Sequence, residues 1–504
     1  MSTPSTLPTP ERRKVGTTAL VFMIVAASAP LTVVAGGVTS NFAVSGQLGV
    51  PLSFVVLGVV LALFAVGYAA LSTKVSTAGA FYAYVSRGLG RIPGVGSAWV
   101  AMVSYNAMQI GIYGMFGYAT ADLLTSLFAW SVPWWVCALV GWAIVGLLGI
   151  NAVDLSAKVL GILVALEFVV VIVFDLFAVS DAPQGISADG LLPGDLFGPS
   201  VGAILAFSVA AFMGFESGAI YTDEVRNPHT TVRRATYTAV AVIAAFYALS
   251  AWAMVMGVGP DATVASSAEN GPGVVFGLLA SHLPKAIVDI AQLLFVTSLL
   301  AALVSFHNVV SRYFRSLSRE KALPGYLAIS AGPGKAPVAG SLTQSGLAVV
   351  VLIVFAIAGT GAEDPIMFPV LTLFTWLTNM GALGLVALMA LTSFAALAYL
   401  HRHHGAEYGV WTRWIAPGLA GVALAVLTVV IIINFSVLVG LEPDSVLNWL
   451  LPALVVVPGL AGLAWAAWLR TARPTVYAGI GHGGVPPRAR VTEVSPRSDA
   501  SPRV

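Results

Sequence analysis

Charge is what this sequence has least of. Its 504 residues hold only 24 Lys and Arg and 22 Asp and Glu, 9% of the chain. Soluble globular chains carry roughly a quarter, so folding with a water-exposed surface is excluded. Cysteine is scarcer still: Cys137 stands alone, which excludes a disulfide framework or a cysteine-ligated metal cluster. A formal charge of +2 is too small to attract nucleic acid. No His-Glu-x-x-His motif or Walker-type loop occurs, so the sequence is not read as an enzyme and calls for no cofactor. What it has in excess is apolar surface, with 58% hydrophobic residues and a mean hydropathy of +0.91. This is the composition of an integral membrane protein with the lipid bilayer as its solvent.

The few charges act as punctuation. No charged residue lies between Lys14 and Lys74, an interval of 59 residues. Further charge-free runs cover 92–121, 123–153, 196–215, 235–260, 290–311, 336–362, 365–400, 414–441 and 445–469. At about 20 apolar residues per crossing, these predict twelve spans in an all-α fold. Spans 1 to 6 are expected near 16–38, 48–71, 93–120, 132–151, 154–179 and 200–221. Spans 7 to 12 are expected near 235–258, 286–316, 339–359, 365–400, 412–439 and 446–470, with the divide between spans 9 and 10 the least marked. Under this topology the arginines and lysines gather at one end, with Lys285 alone at the other, and the positive-inside rule puts both termini in the cytoplasm of a multi-pass protein of the cell membrane. Residues 1–15 and 471–504, rich in Ser, Thr, Pro and scattered Arg, read as disordered cytoplasmic tails, and no cleavable signal is called for.

Function is to be sought where the apolar pattern is interrupted. Span 1 contains Ala26-Ala27-Ser28-Ala29-Pro30-Leu31-Thr32, where a proline removes a backbone donor and opens the ladder. One proline also fits a purely structural kink. Span 6 contains Phe212-Met213-Gly214-Phe215-Glu216-Ser217. A carboxylate at membrane depth costs roughly 2.5–3.5 kcal/mol on insertion scales, so Glu216 requires a partner or a wet path. Lys158 sits about a turn inside span 5, within snorkelling reach of the surface. Glu167, nine residues on, falls on the opposite helix face, so the two are not expected to pair. His307 of span 8 reads as a hydrogen-bonded packing residue, and His401–His404 as a solvated helix end.

These residues carry a resemblance. Phe212-Met213-Gly214-Phe215-Glu216 running into Asp223-Glu224-Val225-Arg226-Asn227-Pro228 is similar to the signature of the amino acid–polyamine–organocation permeases. Ser305-Phe306-His307-Asn308, Arg312 and Leu323-Pro324 resemble that family's span 8 exit, and Thr77–Tyr84 its loop after span 2. The resemblance covers roughly residues 14–470. It implies the leucine-transporter fold, with spans 1–5 and 6–10 as inverted repeats, spans 1 and 6 discontinuous, and two further helices over 401–470 beyond a core of 16–400. It implies a substrate site mid-membrane between spans 1, 3, 6, 8 and 10, drawing on Ala27, Ser28, Ala29, Pro30, Leu31 and Thr32, on Phe212, Gly214, Phe215 and Glu216, on Met108, Gln109 and Tyr113, and on Trp376 or Asn379. Half-helix N–H groups there attract a substrate carboxylate. Leu31 and Thr32 stand where many relatives carry Ser-Gly, which keeps an amine without a carboxylate open. A span 5 lysine takes the place of sodium in sodium-independent relatives, and Lys158 matches it, so Lys158 and Glu216 are the expected proton-coupling residues. The implied activity is secondary active transport of an amino acid or small amine by alternating access, importing with protons, as a monomer or homodimer, with exchange or polyamine transport as the alternative.

Overall fold

The computed structural model describes residues 16–75, 80–151, 157–216, 225, 228–330 and 337–481, without the side chains of 26, 27, 80, 157–160, 228 and 229. Nineteen α-helices follow one another, and no strand occurs among the described residues. The first group is α1 (Thr17–Ala27), α2 (Thr39–Ser45), α3 (Val50–Ser72), α4 (Ala80–Gly88), α5 (Arg91–Phe128), α6 (Trp134–Asn151), α7 (Ala157–Asp181), α8 (Pro193–Leu196) and α9 (Val201–Ala210). The second is α10 (Pro228–Val258), α11 (Pro260–Asn270), α12 (Gly273–His282), α13 (Lys285–Arg319), α14 (Val338–Gly359), α15 (Thr375–His404), α16 (Ala416–Ile433), α17 (Phe435–Val439), α18 (Leu447–Ala472) and α19 (Pro474–Gly479). π-helical turns precede α2 (Thr32–Val38), α15 (Pro369–Phe374) and α16 (Trp411–Ile415).

Nine helices among the described residues are long and apolar enough to cross a bilayer. They coincide with the expected spans 2, 4, 5 and 7 to 12. The other three positions are instructive. Spans 1 and 6 are interrupted, so each half is too short to count, and α5 is 38 residues long but dilutes its apolar run with Ser, Asn, Gln and Gly. The lipid-facing surface is equally direct. On α14, Val350, Ile353, Val354 and Ile357 recur at helical spacing and are all exposed, because in hydrocarbon an apolar stripe needs no cover.

Packing between α5 and α15 depends on close backbone approach. On α5, a Cβ at Gly114 would stand 2.7 Å from the carbonyl of Pro369, and on α15 one at Gly381 would stand 2.7 Å from the carbonyl of Ser104. The missing side chains let α5 and α15 touch along their length, which sets the width of what lies between them. Two regions differ from expectation. The link between spans 7 and 8 folds into α11 and α12. Residues 474–481, expected within the tail, form α19 and a buried Ile480, and the Gly481 N–H donates to the Tyr82 hydroxyl at 2.9 Å.

Candidate functional site

The first interruption falls at Ser28 and Ala29, just before Pro30. Ala29 has φ +48°, a left-handed conformation that costs an L-residue about 1–2 kcal/mol. Pro30 then opens the second half of the span, the position where a missing N–H and a fixed φ suit a helix start. The proline therefore initiates the second half-helix, a more specific role than the kink expected of it. Ser28 donates to the Val25 carbonyl at 2.7 Å and lies 2.8 Å from the Tyr247 hydroxyl of α10. On the far side, the Leu31 N–H points at Glu167 Oε2 of α7, 3.4 Å away. Ser298 of α13 donates to the same oxygen at 2.9 Å, and Thr32 Oγ1 lies 2.9 Å from Ser298 Oγ.

The second interruption follows α9. The chain turns through residues 211–214, Gly214 takes φ +106°, and Glu216 folds back. Its Oε2 accepts the Gly214 N–H at 2.8 Å, its Oε1 accepts the Tyr105 hydroxyl of α5 at 2.8 Å, and its carbonyl accepts the Tyr68 hydroxyl of α3 at 2.9 Å. The carboxylate that the apolar run could not justify is thus almost wholly buried, capping the break that its own segment creates.

Between the two interruptions lies a cavity of about 70 Å³, walled by the five spans expected to surround a site. Ser28, Ala29 and Thr32 of span 1 and Met108 of α5, named from the resemblance as substrate contacts, line it. So do Gly37, Phe207, Met213, Phe306 and Thr378, which the sequence did not single out. Pro30, Leu31, Phe212, Gly214, Phe215 and Glu216 support the wall from behind instead. Phe212 packs on Phe54 with ring centroids 6.1 Å apart, and Phe215 on Phe64 at 5.8 Å. Lys158 and Ala27 have side chains outside the described residues, as do Ser217, Asp223, Glu224, Arg226 and Asn227 of the motif.

Four expected contributors, Gln109, Tyr113, Trp376 and Asn379, do not line the cavity and are engaged elsewhere. Gln109 donates to the Tyr113 hydroxyl at 3.2 Å and lies 3.3 Å from His307 Nδ1, while Gln344 donates to its carbonyl oxygen. His307 Nε2 lies 2.7 Å from the Ser341 hydroxyl, so with Nδ1 accepting from the amide the ring is a neutral donor, and the network fastens α5, α13 and α14 together. Trp376 donates to the Val439 carbonyl at 2.8 Å, anchoring α15 against α17. Asn379 bonds back to the Thr375 carbonyl at 2.9 Å, and it is Thr378, one residue earlier, that faces the cavity. A span residue can be placed at a depth from sequence, but a one-residue step turns it 100° around the helix.

Glu167 is the residue at the first break that the sequence reading did not place there. The signal was present, since it is a second carboxylate in the middle of an apolar run, and the cost argument applied to Glu216 holds equally for it. Its helix face turns away from Lys158, and its partners come from spans 1 and 8.

Two interrupted helices whose ends meet at a small, largely apolar cavity, wrapped by continuous lipid-facing helices, define a membrane transporter of the leucine-transporter fold. The sequence matches the amino acid permease family over residues 15–459, and the chain belongs to that family. Among solved structures it is similar to the manganese transporter of Eremococcus coleocola in complex with an aromatic bis-isothiourea substituted compound, at 14% identity and TM-score 0.57, over 95% of this chain and 100% of that one. A glutamate-to-glutamine mutant of the same transporter matches at 16% identity and TM-score 0.56, over 95% and 98%. No curated protein matches the sequence.

Proposed function

We propose that this permease is a secondary active transporter that imports an amino acid or related small amine together with protons by alternating access. Its place is the cell membrane, with both termini in the cytoplasm as the arginine distribution requires. The observation that carries this reading is the cavity at the meeting point of the two breaks, lined by Ser28, Ala29 and Thr32 on one side and Met213 on the other.

The hydrogen bonds support a division into two bodies. Ser28 with Tyr247, and Tyr68 with the Glu216 carbonyl, tie spans 1, 2, 6 and 7 to one another. Tyr105 with Glu216, Thr32 with Ser298, and Leu31 with Glu167 cross from that group to spans 3, 8 and 5. Rocking one body against the other must break the crossing bonds while keeping the internal ones, so protonation of a crossing carboxylate loosens the closed arrangement. Glu216 is assigned this coupling role, with Lys158 exchanging a proton as span 5 moves. Uptake of labelled amino acids and amines into proteoliposomes under an imposed pH gradient tests the reading. Gradient-driven accumulation that collapses with a protonophore is expected, and uptake that depends only on internal substrate overturns proton coupling in favour of exchange.

One observation favours an amine without a carboxylate within this range. The Leu31 and Gly214 N–H groups, donors of the kind that hold a substrate carboxylate, already face Glu167 and Glu216. No cationic side chain lines the cavity among the described residues. Competition by a decarboxylated analogue matching that of its parent amino acid is the expected result.

A further inference from the structure

A second cavity lies away from the transport path, at the end of the bundle that carries the arginines. It has a volume of about 320 Å³ and opens between α3, α10 and the turn that starts α16. Its floor comes from Val66, Ala69, Ala70 and Thr73, spaced so that one face of α3 is shared, and the two alanines leave the groove that longer side chains would fill. Arg233 and Tyr237, four residues apart on α10, present guanidinium and phenol on a single face. The opposite wall is Tyr408 and Trp411.

Two features of this cavity ask for an anion. Arg233 is the one charged residue lining it among those described, and it makes no ion pair or hydrogen bond among the described residues. The Tyr408 hydroxyl is buried without a hydrogen-bond partner, a state that native structures seldom leave unanswered. The nearby Lys74 charge is spent on Glu407, 2.6 Å away, so that pair adds no net charge at the mouth. An arginine with adjacent hydroxyls is a fork-shaped phosphate receptor.

The surroundings select the source of that phosphate. Val410, Trp411, Trp414 and Ile415 are all exposed beside the opening, a run of apolar and indole surface suited to the headgroup level of a bilayer. A free phosphate ion would leave this surface idle, whereas acyl chains would lie along it. We propose that the Arg233 cavity is a binding site for an anionic phospholipid of the adjacent leaflet, with its phosphodiester on Arg233 and Tyr408 and its chains against Trp411 and Trp414. The lipid fills the seam between α3, α10 and α16 and so fastens two elements of the transport core to the peripheral helices.

The test uses the purified full chain in mixed micelles of detergent with phosphatidylcholine alone, or with phosphatidylglycerol added. The melting midpoint rises with phosphatidylglycerol concentration, because that lipid binds the folded state. Arg233→Gln keeps the midpoint seen in phosphatidylcholine, since an exposed unpaired side chain is removed, and weakens the phosphatidylglycerol response about tenfold, the scale of one charge-assisted hydrogen bond. Tyr408→Phe, which deletes only the unpartnered hydroxyl, weakens it less. Sodium phosphate added to phosphatidylcholine micelles gives no rise. An undiminished phosphatidylglycerol response in Arg233→Gln overturns the site, and an equal rise with sodium phosphate overturns the assignment to a lipid.

Discussion

Single residues at the cavity illustrate how little side chain the site can tolerate. Gly37 lines the space, and a Cβ built on it meets nothing within 4 Å, so a larger residue would grow into the cavity rather than into the protein. Gly37→Leu should therefore abolish uptake with the melting midpoint shifted by no more than a few degrees; a variant that transports normally would remove this cavity from the substrate path. Glu167 makes the complementary case. Its Oε2 gathers both the Ser298 hydroxyl and the Leu31 N–H, so a Gln oxygen in that place can accept from both, but without the carboxylate's charge or its exchangeable proton. Glu167→Gln is expected to lower uptake at least about tenfold, an effect worth about 1.4 kcal/mol, and to flatten its pH dependence. An unchanged pH profile would mean that this carboxylate only braces the break.

At the scale of elements, the contact between α5 and α15 depends on absent side chains. Gly114→Val would drive a branched side chain onto the Pro369 carbonyl, and a loss of about 1–3 kcal/mol is expected, read as a lower melting midpoint in detergent. Outside the bilayer, the end of α3 is tied to the loop after α15 by Lys74 and Glu407. The hydrogen bond from Lys74, with its charge, holds the Glu407 carboxyl below the usual carboxylate range and raises the Lys74 ammonium in turn. The Glu407 contribution to stability is present above the unfolded carboxylate value of about 4.3 and is lost as pH falls through the lower folded one. Melting curves of the protein and of Glu407→Gln should accordingly differ at neutral pH and converge in acid. The pair is exposed, so the difference is small, and a gap that persists below pH 3 would contradict the assignment.

For the whole molecule, the two-body division makes a mechanical prediction. Thr32 and Ser298 stand 2.9 Å apart on elements that the proposed alternation separates, and the lone native Cys137 is buried. A Thr32→Cys, Ser298→Cys double variant should lose uptake on oxidation and regain it on reduction, with each single variant insensitive. Full activity of the oxidised double variant would show that these spans move together, and the crossing-bond account of alternation would fail.

The sequence by itself determined the class of molecule, the approximate limits of nine of its apolar segments, and the depth at which two others break. Those properties follow from transfer energies and from proline, glycine and carboxylate placed in hydrocarbon, all of them local costs that a single stretch of chain reveals. It could not tell that Gln109 and Trp376 brace neighbouring helices, that Thr378 rather than Asn379 meets the cavity, or that Glu167 joins spans 1 and 8. Such assignments depend on the rotation of each helix about its own axis, and in a bilayer both lipid and protein neighbours are apolar, so hydropathy is almost silent about which side faces inward. The tertiary packing decided them, because only there do buried hydrogen-bonding groups find the partners that make their burial tolerable.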